Sequence, residues 1–252
     1  MSLRFAIEGR TAHLLIDRVD KRNAFTRAMW EAVPELLQEI AATEGVRALV
    51  LRSATPGGVF CAGADIAGMA ENAADADWCA GQQAAINAAQ LALARFALPT
   101  IAFVEGDAIG GGCALAMACD IRVATPQARF GITPSRLGLA YPLHDVKLLV
   151  DLVGPGQAKR LLFTGALIDA AEALRIGLVE VLEDDCAALL DAVLAGSPQS
   201  IRVLKGFVAR VQGGQGEDDA DSLASFAAMF RGPDFTEGTA AFRQKRKPDF
   251  QG

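Results

Sequence analysis

The sequence predicts an α/β chain, on two observations. Short apolar, strand-like runs at 11–17, 47–51, 99–105, 120–124 and 178–182 alternate with longer stretches whose large apolar residues return at helical spacing. In addition, two runs of small residues, 58–66 and 109–120, each begin where an apolar strand (48–51 and 101–104) has just ended. They place small side chains where a backbone must come close to something.

The elements follow in order. Residues 11–17 alternate as a strand does, and Asp20-Lys21-Arg22-Asn23-Ala24 is a turn. From 26 to 42, Met29, Val33, Leu36, Leu37 and Ile40 mark one face of a helix, in which Pro34 is the discordant residue. After the strand at 47–51, residues 67–97 are rich in Ala, Gln and Asn and read as a helix, with Met69 and Trp78 among its few large side chains. The strand at 99–105 leads into the second small-residue run, which turns helical as far as Cys119. Residues 130–139 form a loop; Pro142 suits a first helical position, and 143–152 carries that helix. Residues 161–164 read as a short turn and 170–176 as a helix closed by Gly177. From about Ala195 the composition shifts to two helices, 197–211 and 218–230, and a final segment with a basic run at 243–247.

Composition narrows the function. The 252 residues are 52% hydrophobic and 21% charged, an ordinary globular balance with ample material for a core. A net charge of −6 without a long basic block argues against nucleic acid, and two Trp and one Tyr leave little to stack on bases. No run of about 18 apolar residues occurs, so no membrane span is expected. The first residues lack the apolar core of a signal peptide, which makes the cytoplasm the expected location. Five cysteines without metal-ligand spacing read as small buried hydrophobes in a reducing compartment, with no metal.

The chemistry is expected in the backbone. Where the second small-residue run becomes helical, the N–H groups near Gly111 and Gly112 lie at a helix N-terminus, unpaired and at the positive end of its dipole. Two such donors converging from separate loops make an oxyanion hole, which stabilises charge developing on a carbonyl oxygen. The side chains there offer neither a metal cluster nor a nucleophile–base pair.

Phe60-Cys61-Ala62-Gly63-Ala64-Asp65-Ile66 and Gly110-Gly111-Gly112-Cys113 resemble the two signature loops of the crotonase (enoyl-CoA hydratase/isomerase) superfamily. The resemblance runs from about residue 10 to 250. It implies a spiral of β-β-α repeats over 1–195, carrying the CoA site and the oxyanion hole. It implies also a C-terminal helical domain, 196–252, that covers CoA and builds a homotrimer or dimer of trimers. By position, the N–H groups of Ala64 and Gly111 would hold a thioester enolate. Arg22 and Ala24 in the early turn, with Ala62, Asp65 and Ile66, would meet CoA, as would Phe242 and Lys245 of the last helix. Coenzyme A would enter as part of the substrate, with no separate cofactor. Asp65 is expected to hold its loop by hydrogen bonds, while Trp78 stands equally as pocket wall or ordinary packing.

The chain departs from that family where the acids belong. Ala114 and Pro134 stand at the positions of the two hydratase glutamates, and Pro142 where isomerases and dehalogenases place an acid. Nearby remain Thr133, Ser135, Tyr141, His144 and Asp145. The run Thr133-Pro134-x-x-Leu137-Gly138-x-x-Tyr141 resembles methylmalonyl-CoA decarboxylases, which also lack the glutamate pair. Loss of CO₂ leaves an enolate directly and needs no base, so a glutamate-independent reaction such as decarboxylation is the reading. In it Tyr141 would orient a carboxylate or donate a proton, and His144 is the acid–base candidate. Asp145 suits the helix dipole on structural grounds alone. The alternatives are a hydratase or isomerase that relocates its acid and base to His144, Asp145 or Tyr141, and a non-catalytic CoA-binding member.

Overall fold

The computed structural model describes residues 2–251. The chain divides into two compact units, Met1–Phe96 with Thr100–Cys186, and Ala97–Pro99 with Ala187–Gly252.

In the first unit, β1 (Leu3–Glu8) and β2 (Thr11–Ile16) form a hairpin, followed by a 3-10 turn at Val19–Lys21 and by α1 (Arg27–Ala42). Next come β3 (Ala48–Ser53), α2 (Ile66–Glu71) and α3 (Ala76–Ala94), then β4 (Thr100–Val104), β5 (Asp107–Ile109) and α4 (Gly111–Ala118). The chain continues through β6 (Ile121–Ala124), β7 (Arg129–Gly131), a 3-10 turn at Pro134–Leu137 and α5 (Leu143–Thr164). It closes with β8 (Leu167–Asp169), α6 (Ala170–Arg175) and β9 (Val181–Leu182).

The strands build two sheets. One has the order β1-β2-β3-β4-β6-β9 and is parallel from β2 onward; the other is β5-β7-β8, with β8 antiparallel. Single bridges extend the second layer, Cys61 with Ala108 and Phe25 with Ala64. Each turn of chain therefore gives one strand to the first sheet, a shorter segment to the second layer, and then a helix. This is the expected spiral of β-β-α repeats. Strands β3 and β4 are buried almost throughout, which explains their unbroken apolar sequences. Helix α1 buries Met29, Trp30, Val33, Leu37 and Ile40, each worth about 1.5–3 kcal/mol on leaving water, and runs unbroken through Pro34.

Several elements differ from the sequence reading. Residues 67–97 are two helices, because Asp75 accepts from Trp78 N at 2.9 Å and starts α3 afresh. Residues 161–164 are not a turn but the last of α5, which kinks at Gly154 (φ 73°) and resumes at Pro155. Pro142 is the N-cap of α5, one position before its first helical residue. Cys79 is exposed, whereas Cys61, Cys113, Cys119 and Cys186 are buried, and none of the five is in a disulfide among the described residues.

Gly112 shows what the second small-residue run is for. A Cβ there would lie 2.1 Å from the Cys61 carbonyl oxygen, so only glycine lets α4 pack onto the first loop. Gly112→Ala is expected to cost more than the roughly 1–3 kcal/mol of ordinary overpacking, because backbone cannot move aside as a side chain does. Denaturant titration would register this as a large fall in midpoint.

The second unit contains α7 (Ala187–Ala195), α8 (Pro198–Gln212), α9 (Ala220–Met229) and α10 (Pro233–Gln244). Ser197 caps α8 and donates to Asp234 Oδ2 at 2.5 Å; Asp219 and Ser222 form a capping box on α9. Phe226, Phe230 and Phe235 meet edge to face, with centroids 5.3 and 5.4 Å apart. Among the described residues no helix is long and apolar enough to cross a membrane.

Candidate active site

The loop from Cys61 to Asp65 is pinned along both edges. Ala62 N donates to Arg22 O at 3.0 Å, Phe25 N to Gly63 O at 2.8 Å and Asp65 N to Phe25 O at 2.8 Å. On its other side, Cys61 N donates to Asp107 O at 3.0 Å and Ile109 N to Cys61 O at 2.9 Å. Two donors are left over: among the described residues, neither Ala64 N–H nor Gly111 N–H, the latter at the first residue of α4, has an acceptor. They are close together. A Cβ on Gly111 would lie 3.5 Å from Ala64 N, and one on Gly63, whose φ is +100°, would lie 3.3 Å from Gly111 N.

Both residues line a cavity of about 260 Å³. Ile66, Met69, Ile86, Leu137 and Leu139 make much of its wall apolar, with the Trp30 ring packed against Gly111. The polar side chains on the wall include Gln83, Gln90, Thr133, Tyr141 and Asp145. Pro134 and Pro142 line it too, whereas Ala114 is wholly buried within α4. Among the described residues, no cluster of three or more His, Cys, Asp or Glu side chains is placed to hold a metal ion.

Among the described residues, Asp145 is the one Asp, Glu, His, Lys or Arg on that wall. Its side chain is 1% exposed, and burial pushes its pKa up to about 7. The local sequence explains why nothing compensates. Asp145 occupies the third position of α5, from which a carboxylate ordinarily accepts from the N-cap backbone N–H. The N-cap here is Pro142, which has none, and Asp145 Oδ1 lacks a partner. The helix dipole favours the carboxylate, but by about 2 kcal/mol at most, and burial outweighs it.

His144 does not line the cavity. Its Nε2 lies 2.8 Å from Asp145 Oδ1 but out of hydrogen-bonding alignment, and burial lowers its pKa, so the ring is neutral at pH 7. The two neighbours thus approach each other without forming an ion pair, and Asp145 alone faces the cavity. Tyr141 does line it, yet its hydroxyl donates to Gly110 O at 3.0 Å, and burial, followed by the charges of Cys113 and Asp145, raises its pKa well above the ordinary value. The phenol proton is therefore spent on the peptide whose N–H belongs to Gly111.

The remaining candidates fall into two groups. Arg22 adopts a left-handed φ of 53°, and its guanidinium reaches Asp107 Oδ2 at 2.8 Å. Ala24 N donates to Lys21 O within the same turn, Ala62 N to Arg22 O and Asp65 N to Phe25 O, and Ala62 and Ile66 also line the cavity. Burial opposes ionisation of Asp65, but its pair with Arg18 at 2.9 Å and the Gly68 N–H outweigh this, so its pKa is lowered and it caps α2. Phe242, 85% exposed, and Lys245, at the C-cap of α10, belong to the second unit. Trp78 is half-buried and absent from the cavity wall, where Trp30 is the tryptophan instead.

Residues 7–252 match the family model described as Enoyl-CoA hydratase/isomerase. The chain is 32% identical over 253 residues to a putative enoyl-CoA hydratase of Thermus thermophilus, covering 96% of this chain and 98% of that one. It is 34% identical over 252 residues to the short-chain-enoyl-CoA hydratase of Clostridium acetobutylicum, covering 95% and 94%. Among solved structures it superposes on a putative enoyl-CoA hydratase/isomerase family protein from Hyphomonas neptunium with a TM-score of 0.94, at 35% identity and 100% and 98% coverage.

Proposed function

Because the chain belongs to the enoyl-CoA hydratase/isomerase family, we propose that it forms the enolate of an acyl-CoA thioester, with Asp145 carrying the proton. The thioester oxygen would accept from Ala64 and Gly111 N–H, and Asp145 would take a proton from the acyl chain and return it. The observation that carries this reading is a buried carboxyl with a pKa of about 7 in the same cavity as two unpartnered backbone donors. With Ala114 and Pro134 in place of glutamates, Asp145 is, among the described residues, the one carboxyl on the wall. Hydration asks one group to activate water and another to handle the α-proton. Moving a proton between two carbons of one dienolate asks for a single shuttle. Isomerisation of an enoyl double bond is therefore the reaction that the site supports best.

Decarboxylation is the second reading, favoured by the same missing acids; there Asp145, not Tyr141, would be the proton donor to the enolate left by CO₂. The sign of the pH profile separates the two. A base must be ionised, so kcat/KM for isomerisation should rise with pH through about 7; a donor must be protonated, so decarboxylation should fall through the same range. Product analysis in D₂O with crotonyl-CoA, a 3-enoyl-CoA and methylmalonyl-CoA tests both. Migration of the 3-enoyl double bond into conjugation, with any exchanged deuterium at the γ-carbon where the proton is returned, is the expected result. Brisk hydration without migration would overturn the single-carboxyl reading.

Tyr141 has a supporting role in this scheme. Its hydrogen bond to Gly110 O fixes and polarises the peptide that presents Gly111 N–H, strengthening that donor. Tyr141→Phe is expected to lower kcat about tenfold with KM little changed, the loss of roughly one hydrogen bond felt in the transition state. Steady-state kinetics checks this, and an unchanged kcat would remove Tyr141 from the scheme. The turn at Arg22 and Ala24, with Ala62, Asp65 and Ile66, would hold the CoA moiety; within the second unit, Phe242 and Lys245 are the candidates for CoA contact. A homotrimer or dimer of trimers belongs to the same proposal, supported by the apolar side chains that α8 and α9 leave exposed, among them Leu204, Val208, Val211 and Phe226.

A further inference from the structure

Gln90 is wholly buried on α3, and neither its Oε1 nor its Nε2 has a partner among the described residues. With Gln83 and Ile86 it forms the stripe of α3 that lines the cavity, residues three and four apart on one helix face. A residue of the same wall carries a second orphan: Trp30 Nε1, on a side chain with 0% exposure, has no partner among the described residues. Packing does not ask for an amide here. The neighbouring buried positions of α3 are Ala85, Ala89 and Leu93, and a methionine at 90 would fill similar space without stranding two polar atoms.

Resting on the acyl-CoA reading above, we propose that this cavity selects acyl groups bearing a hydrogen-bonding substituent, a hydroxyl or carboxamide, which docks on Gln90. An amide with both ends open is complemented by a group that donates and accepts at once. A carboxylate is a poorer match: it can use only the amide N–H, no cation among the described residues lines the cavity, and Asp145 carries like charge when ionised. Because the surrounding wall is largely apolar, a substrate lacking the substituent leaves the amide unpaired, whereas one bearing it satisfies both partners. Sites built around a hydrogen bond discriminate in this way far more sharply than apolar pockets do.

The test uses equilibrium binding, so it does not depend on Asp145 or on the oxyanion donors. Alkyl-CoA thioethers, which have no carbonyl and cannot react, are compared at several chain lengths with ω-hydroxyalkyl-CoA thioethers of equal heavy-atom count, by calorimetry. At one chain length the wild type should bind the hydroxylated member about tenfold or more tightly. Gln90→Met should abolish or reverse that preference. The unliganded variant should melt at the wild-type temperature or higher, since a stranded amide has been removed. Equal affinities at every length, or a preference that survives in Gln90→Met, would overturn the proposal and leave the acyl-CoA reading intact. Failure of the wild type to bind any of these thioethers would overturn both.

Discussion

Asp145→Asn should lower turnover by about 10²–10⁴-fold and at the same time raise the melting temperature at pH 8. Both halves come from one feature. The folded state holds the Asp145 proton up to a pH of about 7, while an unfolded Asp releases it near pH 4. Between those values the native state binds more protons than the unfolded state, so stability falls as pH rises. The penalty is absent below about pH 4 and complete above about pH 7, where it reaches about 4 kcal/mol. Asparagine keeps the shape and has no proton to lose, so its stability should lack this slope. Melting temperatures of both proteins from about pH 4 to pH 8 should therefore converge at the acid end and diverge toward neutrality. Pro142→Ala provides an independent check, because it restores an N-cap N–H that a carboxylate at the third helical position can accept. The pH midpoint of kcat/KM should then move below that of the wild type. If Asp145→Asn keeps full activity, or melts lower than the wild type at every pH, the carboxyl is not the proton carrier described above.

Much of the scaffold was legible in the sequence, for reasons that differ between elements. Helix α1 was readable because Met29, Val33, Leu37 and Ile40 all face one core, so the 3.6-residue period survives in the text. Strands β5, β7 and β8 are three residues each, too short for any period, and exist because the spiral brings them side by side. The glycine runs marked the loop contact directly, since Gly112 is demanded by a backbone approach that no other residue permits. Asp145 stood in the sequence as a favourable charge in a first turn and as one of three alternative acid–base residues, beside His144 and Tyr141, with nothing to single it out. Its distinction lies in burial, which is tertiary, and in the missing N–H of Pro142, which is local but has meaning only once the helix start is fixed. Gln90 was hidden for a related reason. In a stretch of Ala, Gln and Asn nothing in the text says which amide turns inward, and that is decided by α3 packing against α1. The same packing put Trp30, and not Trp78, on the cavity wall.

Gly111→Ala should abolish most turnover while leaving the protein folded, in contrast to its neighbour Gly112→Ala. The difference follows from what each added methyl would touch. At 112 it meets backbone, the Cys61 carbonyl oxygen at 2.1 Å. At 111 it meets the edge of the Trp30 ring at 3.1 and 3.3 Å, which a shift of a few tenths of an ångström relieves, and its backbone lies in the ordinary helical region. The same methyl would stand 3.5 Å from Ala64 N, over the space between the two free N–H groups. An oxygen accepting from both must lie about 2.7–3.1 Å from each nitrogen, and carbon and oxygen cannot share that place. Removing a single donor from such a hole typically costs about 10²–10³ in kcat, and an obstruction that denies both should cost at least that. Binding separates this from general damage: a CoA thioether lacks the oxygen in question, so its affinity should be nearly unchanged in Gly111→Ala while kcat collapses. Near-wild-type turnover in a folded Gly111→Ala would place the reacting oxygen elsewhere in the cavity and remove the Ala64 and Gly111 N–H pair from the mechanism.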